Sequence, residues 1–148
     1  MKDPAGWRPS KFVYRRGKLI ASRDTDEVAV GSRLMVDRVA RCYDANLAGH
    51  AKGRLVDLGC GTVPLYRAYA DLVTDVTCVD IGGTSHARHL DVEHDLNEPL
   101  PFADRSFDTI VLSDVLEHIA RPEQLWAEMA RILALACGER PAKPVGAG

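Results

Sequence analysis

"RLVDLGCGTVP", residues 54–64, decides how this chain is expected to fold. A short apolar run ends in Asp57 and breaks into Gly59 and Gly61, and Pro64 follows. An apolar run bounded by glycines is typical of a buried strand, and proline is favoured in the first turn of a helix. Glycines between a strand and a helix let the backbone come close to a ligand. The stretch therefore predicts a strand, a ligand-binding loop and a helix, in that order.

The same alternation continues along the chain. Strands are predicted over 54–59, 75–80, around 88–92 and over 107–114, and helices over 64–73 and 121–136. The last helix carries an apolar stripe of Leu125, Trp126, Met129, Ile132, Leu133 and Ala136. Strands that alternate with helices pair in parallel through right-handed crossovers. We therefore predict an α/β fold with a Rossmann-like, doubly wound, mostly parallel sheet, whose ligand lies at the carboxyl ends of the strands.

Two further elements are predicted ahead of residue 54. The segment KFVYRRGKLI, residues 11–20, indicates a small hairpin around Arg15–Gly17. Residues 22–49 predict a helix capped by Asp24 or Thr25 and stopped by Gly49. The apolar face of that helix is expected to consist of Val28, Met35, Val39, Cys42 and Tyr43.

Composition and charge narrow the class of protein. The chain has 148 residues and a net charge of −2, which favours one domain with no general attraction to nucleic acid or membranes. Residues 1–23 hold seven basic groups and one acid, but no aromatic ladder accompanies them, so we expect a solvated extension. No apolar run approaches the ~18 residues of a membrane span, and the first residues lack an apolar signal core. We therefore predict a cytoplasmic protein with no membrane or nucleic-acid partner.

Two acids constrain the ligand of the glycine loop. Asp57 stands at the loop entrance, where a carboxylate repels a pyrophosphate, and Pro64 occupies the place of the third glycine of a dinucleotide fingerprint. Asp80 ends the second core strand 21 residues after Gly59, where an acid accepts both hydroxyls of a ribose. A nucleoside with a cationic substituent and no phosphate fits both acids. S-adenosylmethionine is such a molecule.

Several motifs in order resemble one family. The segments VDLGCGT, VTCVD and HDLNEPLPFADRSFDTIVLSDVLEHI, with the amphipathic helix that follows, are similar to class I S-adenosylmethionine-dependent methyltransferases of the small-molecule type. The similarity covers roughly residues 53–134. The resemblance implies cofactor contacts from Asp57, Gly59 and Gly61 at the methionine part, Asp80 at the ribose, Ile81 over the adenine, Asp95 and Leu96 at the adenine amino group, and Ser113 near the methyl group. It places Asp114, Glu117 and His118 in the segment that faces the substrate.

Alternatives stay open for the acidic and histidine side chains. His118 is the candidate catalytic residue, a general base, because imidazole titrates near neutrality; a structural histidine is the alternative. Glu117 either faces the substrate or braces a helix start. A further group of side chains resembles a set of metal ligands: His86, His89, Asp91, Glu93 and His94. Because no second group of ligands appears elsewhere in the sequence, we predict no metal site.

The sequence departs from the family pattern after the last helix. Relatives continue with a P-G-G-like turn, a fifth strand and a final antiparallel pair, whereas this chain has Leu135–Gly138 and ten more residues. We therefore expect an incomplete sheet of about four strands in the order 3-2-1-4 with an N-terminal helix, in a C-terminally truncated chain. The fourth strand would then be an edge, which invites pairing with a second copy or a complementing partner.

The predicted function follows from the loop and the resemblance together. We expect S-adenosylmethionine-dependent methyl transfer to an unknown, small-molecule acceptor, with the activity of the truncated chain left open. The alternatives are a non-catalytic cofactor-binding or interaction module with the same fold, and a nucleotide-dependent oxidoreductase, which Asp57 and Pro64 disfavour. The predicted division of the chain is a basic extension over 1–23, an incomplete methyltransferase-like domain over 24–136 and an irregular tail over 137–148.

Overall fold

A computed structural model describes residues 1–82 and 87–134 of the protein. The strands are β1 Phe12–Arg15, β2 Lys18–Ala21, β3 Arg54–Leu58, β4 Asp75–Asp80, β5 Val92–Glu93 and β6 Thr109–Leu112. The helices are α1 Arg33–His50, α2 Tyr66–Tyr69 and α3 Pro122–Ile132. Strands β1 and β2 form an antiparallel hairpin, and β3 to β6 form a parallel sheet.

The parallel sheet has β3 and β4 at its centre. Its strands lie in the order β5-β4-β3-β6, which reads 3-2-1-4 when β3 is counted as the first strand. Leu55 of β3 pairs with Val76 of β4 on one side and with Thr109 of β6 on the other. Because all four strands run the same way, their carboxyl ends share one edge of the sheet. The predicted α/β fold with a parallel sheet is confirmed.

Both faces of this sheet are covered. Successive side chains of a strand point to opposite faces. Leu55 accordingly packs with the hairpin, α1 and α2, whereas Val56 and Leu58 pack with α3 on the other face. This burial on both sides explains the continuous apolar runs of the core strands. By the same alternation Asp57 points to the face that α2 covers.

The predicted hairpin is confirmed, and it changes the interpretation of the basic segment. Arg16 and Gly17 both have positive φ, 52° and 74°, as a two-residue hairpin turn requires. Phe12, Leu19 and Ala21 are buried in the core cluster that includes α1. This part of the chain is therefore not a solvated extension, because its apolar alternation gives the hairpin a face to bury. The boundary at residue 23 stays a prediction.

Helix α1 begins later than predicted. The carboxylate of Asp24 accepts a hydrogen bond from the backbone N–H of Asp26, which forms a local turn in place of a helix cap. A short 3-10 turn, Val30–Ser32, separates it from α1. The buried face also differs from the predicted one: Val36, Ala40 and Leu47 are buried, and Met35 is 66% exposed. Val39 and Tyr43 of the predicted face are half-buried and pack against the same core, whereas Cys42 is exposed.

Three other elements differ in extent from their predictions. Helix α2 has only four residues, since Val63 and Leu65 before it form turns. The third core strand is Val92–Glu93, and a 3-10 turn, Ala87–His89, occupies the start of the range predicted for it. Trp126 is 53% exposed and lies off the buried side of α3. Strong periodicity thus located the elements but not their ends.

Helix α3 ends at Ile132, and Leu133 is already extended. Leu133 forms a parallel bridge with Phe107, just ahead of β6. Ala136 of the predicted stripe and the predicted tail 137–148 lie outside the described residues. Within residues 1–82 and 87–134, every helix is too short or too polar to cross a membrane.

Candidate functional site

The glycine loop lies at the carboxyl end of β3 and is tied to β4. Gly59 and Gly61 have φ values of +69° and +52°, a region that glycine enters without strain. The N–H groups of Gly59 and Cys60 both donate to the carbonyl oxygen of Val79, at 2.8 and 3.1 Å. The loop therefore leaves β3 by bending across the end of the neighbouring strand.

Asp80, the last residue of β4, is hydrogen-bonded to the glycine loop. Its carboxylate oxygens accept hydrogen bonds from the N–H of Gly61 at 2.6 Å and from the N–H of Ile81 at 2.7 Å. A carboxylate offers about four acceptor positions, so both oxygens keep capacity for further donors such as hydroxyls. Asp80 thus positions the loop and presents acceptors at the same edge of the sheet.

Asp57 is a buried carboxyl group, only 3% exposed, beneath the loop. The hydroxyl of Tyr69 in α2 donates to its Oδ2 at 2.7 Å. Burial raises the pKa of Asp57 to about 7, while the Tyr69 hydrogen bond lowers it and the nearby Asp80 charge raises it further. Burial also raises the pKa of Tyr69, which keeps its hydroxyl protonated as a donor. The carboxyl group therefore changes charge close to neutral pH.

Replacing Tyr69 with Phe should destabilise the protein in a pH-dependent way. The Tyr69→Phe substitution leaves the buried Asp57 without this donor, a loss of about 1.5–3 kcal/mol for a hydrogen bond to a charged group. We expect that loss at pH 8, where Asp57 is ionised, and a smaller one at pH 5, where it is protonated. Urea unfolding at both pH values measures the difference. Tyr66→Phe on the same helix is the control. An equal loss of stability at both pH values in Tyr69→Phe would contradict the view that Tyr69 donates to an Asp57 that ionises near neutral pH.

Two adjoining cavities form a cleft along this edge. The first, about 350 Å³, is lined by Asp57, Gly59, Gly61 and Ser113 together with Ser10, Lys11, Glu27 and Asp114. The second, about 290 Å³, is lined by Gly59, Asp80, Ile81, Asp95, Leu96, Asn97, Asp114 and His118. Gly59 and Asp114 belong to both linings, so the cavities meet between β3 and β6. The structure brings all nine predicted site residues to this one cleft; their roles stay predictions.

The second cavity shows how the chain after β5 shapes the cleft. The carboxylate of Asp95 accepts hydrogen bonds from the backbone N–H and the side-chain amide of Asn97, both at 2.9 Å. These hydrogen bonds lower the pKa of Asp95 below its ordinary value, so it remains an acceptor. Leu96 is buried beside it, and Ile81 is exposed. His118, in the short 3-10 turn Leu116–His118, lines this half of the cleft rather than the half with Ser113.

Sequence reasoning missed the part of the lining that comes from the N-terminal segment. Ser10 and Lys11 precede β1, and Glu27 lies in the turn before α1. Lys11 forms an ion pair with Asp114. Ser10 and Lys11 are positioned by the hairpin that they precede, and the surplus of basic residues over 1–23 was a signal in the sequence for Lys11 alone.

The cleft is strongly acidic. Five carboxylates line its two halves: Glu27, Asp57, Asp80, Asp95 and Asp114. Among the described lining residues Lys11 is the one lysine or arginine. A cleft of this charge favours a ligand with a cationic group and disfavours a pyrophosphate.

The fold and the cleft define the class of the protein. Open α/β sheets bind their ligands outside the carboxyl ends of the strands, which is where this cleft lies. Residues 56–135 match the methyltransferase domain family, so the chain belongs to that family.

Curated relatives agree with the family. An uncharacterized methyltransferase of Mycobacterium avium is 36% identical over 135 residues, covering 83% of this chain and 50% of its own length. The chain spans about half the length of this relative and of an uncharacterized methyltransferase of Mycolicibacterium paratuberculosis. A demethylmenaquinone methyltransferase of Renibacterium salmoninarum is 32% identical over 85 residues, covering 53% of this chain and 36% of that protein.

A solved structure supports the fold. The crystal structure of the [4+2]-cyclase SpnF matches with a TM-score of 0.53 at 22% sequence identity, covering 68% of this chain and 42% of that chain. At this identity the likeness shows the fold alone, since one fold hosts several chemistries.

Proposed function

We propose that the chain binds S-adenosylmethionine in this cleft and transfers its methyl group to a small-molecule acceptor. The observation that carries the proposal is the buried carboxyl group of Asp57 beneath the glycine loop, in a cleft lined by five carboxylates. A positive sulfonium and an ammonium group are the ligand charges that such a cleft stabilises. The family membership supports methyl transfer as the reaction.

The local structure around the loop disfavours a dinucleotide. Helix α2 has four residues, so few aligned peptide dipoles point at the loop. Pyrophosphate binding needs such a dipole and free N–H donors. Here the N–H of Gly61 is already bonded to Asp80, and those of Gly59 and Cys60 to Val79. The loop therefore offers carboxylates where a pyrophosphate needs donors.

The residues of the cleft have mainly a binding and orienting task in the proposed reaction. When bound, the cofactor supplies an activated methyl group on a good leaving thioether. Asp80 and Asp95 offer acceptors to its adenosine part, and Asp57 and Glu27 offer negative charge to its amino-acid part. Holding the reacting atoms in line supplies much of the rate acceleration in such a displacement. Ser113, at the end of β6, lies in the half of the cleft assigned to the amino-acid part.

Calorimetric titration with three ligands tests the proposal. We expect S-adenosylmethionine and S-adenosylhomocysteine to bind with one site per chain, and NAD to bind far more weakly. Binding of NAD with the higher affinity would overturn the proposed cofactor. A matched titration with adenosine alone shows how much of the affinity comes from the amino-acid part.

Asp80→Ala should weaken cofactor binding by about 1–3 kcal/mol, the scale of lost hydrogen bonds to a charged group. Stability should fall by a smaller amount, because Gly61 and Ile81 lose their acceptor. Asp75→Ala, at the opposite end of β4, is the control and should leave affinity unchanged. Calorimetry at a temperature where all three proteins are folded measures the affinities. Equal affinity of Asp80→Ala and the wild type would remove Asp80 from the ribose site.

The acceptor and the partners remain proposals. The position of His118 beside Asp80 and Asp95 supports a contact with the adenosine part, and its predicted role as a general base stays a prediction. Pairing of a second copy or a complementing partner at the outer edge of β6 also stays a prediction; among the described residues β6 is the last strand on its side of the sheet. A non-catalytic module with the same fold is not favoured by the family match.

A further inference from the structure

The segment just before the hairpin is held along the glycine loop. The indole N–H of Trp7 donates to the carbonyl oxygen of Val63 at 3.0 Å. The hydroxyls of Ser10 and Thr62 are hydrogen-bonded at 3.3 Å. The backbone carbonyl of Lys11 accepts from the N–H of Ser22 at 2.9 Å, which extends the hairpin ladder. The backbone of Lys11, a lining residue of the first cavity, is therefore held in place on both sides.

Lys11 is the cation of a cavity whose other charged lining residues are Glu27, Asp57 and Asp114. Its ammonium group pairs with Asp114, which lines the same cavity. The amino-acid part of the proposed cofactor carries an ammonium and a carboxylate. Carboxylates of the cleft suit the ammonium, and the carboxylate needs a positive partner to avoid repulsion.

We propose that Lys11 binds the α-carboxylate of the cofactor's amino-acid part, exchanging or sharing its contact with Asp114. The inference rests on the proposed function, because it assigns the orientation of the same ligand. With the carboxylate at Lys11, the adenosine part extends past Gly59 into the second cavity, toward Asp80 and Asp95. The N-terminal segment therefore belongs to the binding site as a specificity element.

The exchange costs little because the existing ion pair is weak. The side chains of Lys11 and Asp114 are 34% and 55% exposed, and exposed pairs contribute little to stability. A lysine side chain rotates freely enough to follow a new partner. Asp114 keeps its solvation when Lys11 turns toward the ligand, so no buried charge is left without a partner.

A ligand pair that differs only in the carboxylate tests the proposal. The probes are S-adenosylhomocysteine and its α-carboxamide, titrated into the wild type and into Lys11→Met. The wild type should prefer the carboxylate by about tenfold or more, the scale of a charge-assisted hydrogen bond, and Lys11→Met should lose this preference. Lys18→Met, on the exposed part of β2, is the control and should keep it. Lys11→Arg retains the charge and should retain most of the preference.

The outcomes separate the two proposals. If neither probe binds the wild type, the proposed function fails. If both bind and Lys11→Met keeps the wild-type preference, the cofactor site stands and the assignment of Lys11 is wrong. Thermal melts of each variant show that it is folded at the titration temperature. If Lys11→Met does not fold, two other titrations decide. Equal binding of the two probes by the wild type overturns the role of Lys11. Loss of the preference for the carboxylate in Asp114→Asn, which keeps Lys11, also overturns it.

Discussion

Gly59→Ala should cost the protein about 3 kcal/mol or more of unfolding free energy and abolish the cleft in its present form. A Cβ at position 59 would lie 2.3 Å from Cγ2 of Val115, and the residue has a φ of +69°. The clash adds to the backbone strain, because the buried side chain of Val115 would have to shift to make room for the new Cβ. Gly59 lines both cavities and Val115 lines the second, so the substitution would deform the cleft where its two halves meet.

Gly61→Ala is the matched control for this effect. Its φ is +52°, but a Cβ there would meet nothing within 4 Å, so only the strain of the left-handed conformation applies. That strain is worth about 1–2 kcal/mol. Urea unfolding of both variants and of the double variant Gly59→Ala/Val115→Ala measures the two contributions. The double variant should recover part of the loss if the contact with Val115 is the cause. Equal losses for the two glycine variants would contradict this explanation.

Asp57→Asn should stabilise the free protein at pH 8 and weaken its binding of S-adenosylmethionine. The folded-state pKa of Asp57, about 7, is raised from 3.8 chiefly by burial. Because the pKa is raised, the contribution of Asp57 to the stability of the folded protein is fully present below pH 3.8. This contribution is lost as the pH rises through about 7. Asparagine does not titrate and keeps an acceptor for Tyr69. The variant should therefore be more stable than the wild type above neutrality, on the order of 4 kcal/mol, since each unit of pKa difference corresponds to about 1.4 kcal/mol.

The pH dependence distinguishes this effect from a general change in packing. The stability difference between Asp57→Asn and the wild type should grow between about pH 4 and pH 7 and stay constant above, as linkage requires. Thermal or urea unfolding across that range measures it. A difference that is independent of pH would show that Asp57 is not the titrating group.

The affinity for the cofactor should rise with pH, whereas the stability of the free wild-type protein falls. A cationic ligand favours the ionised form of Asp57, so binding should release protons and strengthen as the pH rises through about 7. Asp57→Asn should lose this dependence together with about 1.5–3 kcal/mol of affinity at pH 8. Calorimetry in buffers of different ionisation enthalpy counts the released protons. Unchanged affinity in Asp57→Asn would place the positive groups of the ligand elsewhere.

The core of the fold was predictable because the sequences of its strands are apolar runs that end in acids or glycines. β3, β4 and β6 follow such runs, and the parallel pairing follows from the helices between them. The ends of the helices were not predictable in the same way. Asp24 is as good a turn former as a helix cap, and in the structure it forms a turn, so that α1 starts only at Arg33.

The candidate site was predictable where its residues belong to the core strands. Asp57, Asp80 and Ser113 reach the cleft because parallel strands end at one edge. Ser10 and Lys11 were missed because they reach it through the hairpin, whose docking on α1 depends on contacts far apart in the sequence. The hydrogen bond between Tyr69 and Asp57 depends likewise on where the short helix α2 comes to lie.

A crystal structure of the protein with S-adenosylhomocysteine tests the proposed site most directly. We expect one ligand spanning both cavities past Gly59, with its ribose hydroxyls on Asp80, its adenine between Ile81 and Asp95, and its carboxylate at Lys11. Electron density for the ligand outside this cleft, or an empty cleft at a saturating concentration, would contradict the proposal that these residues form a cofactor site.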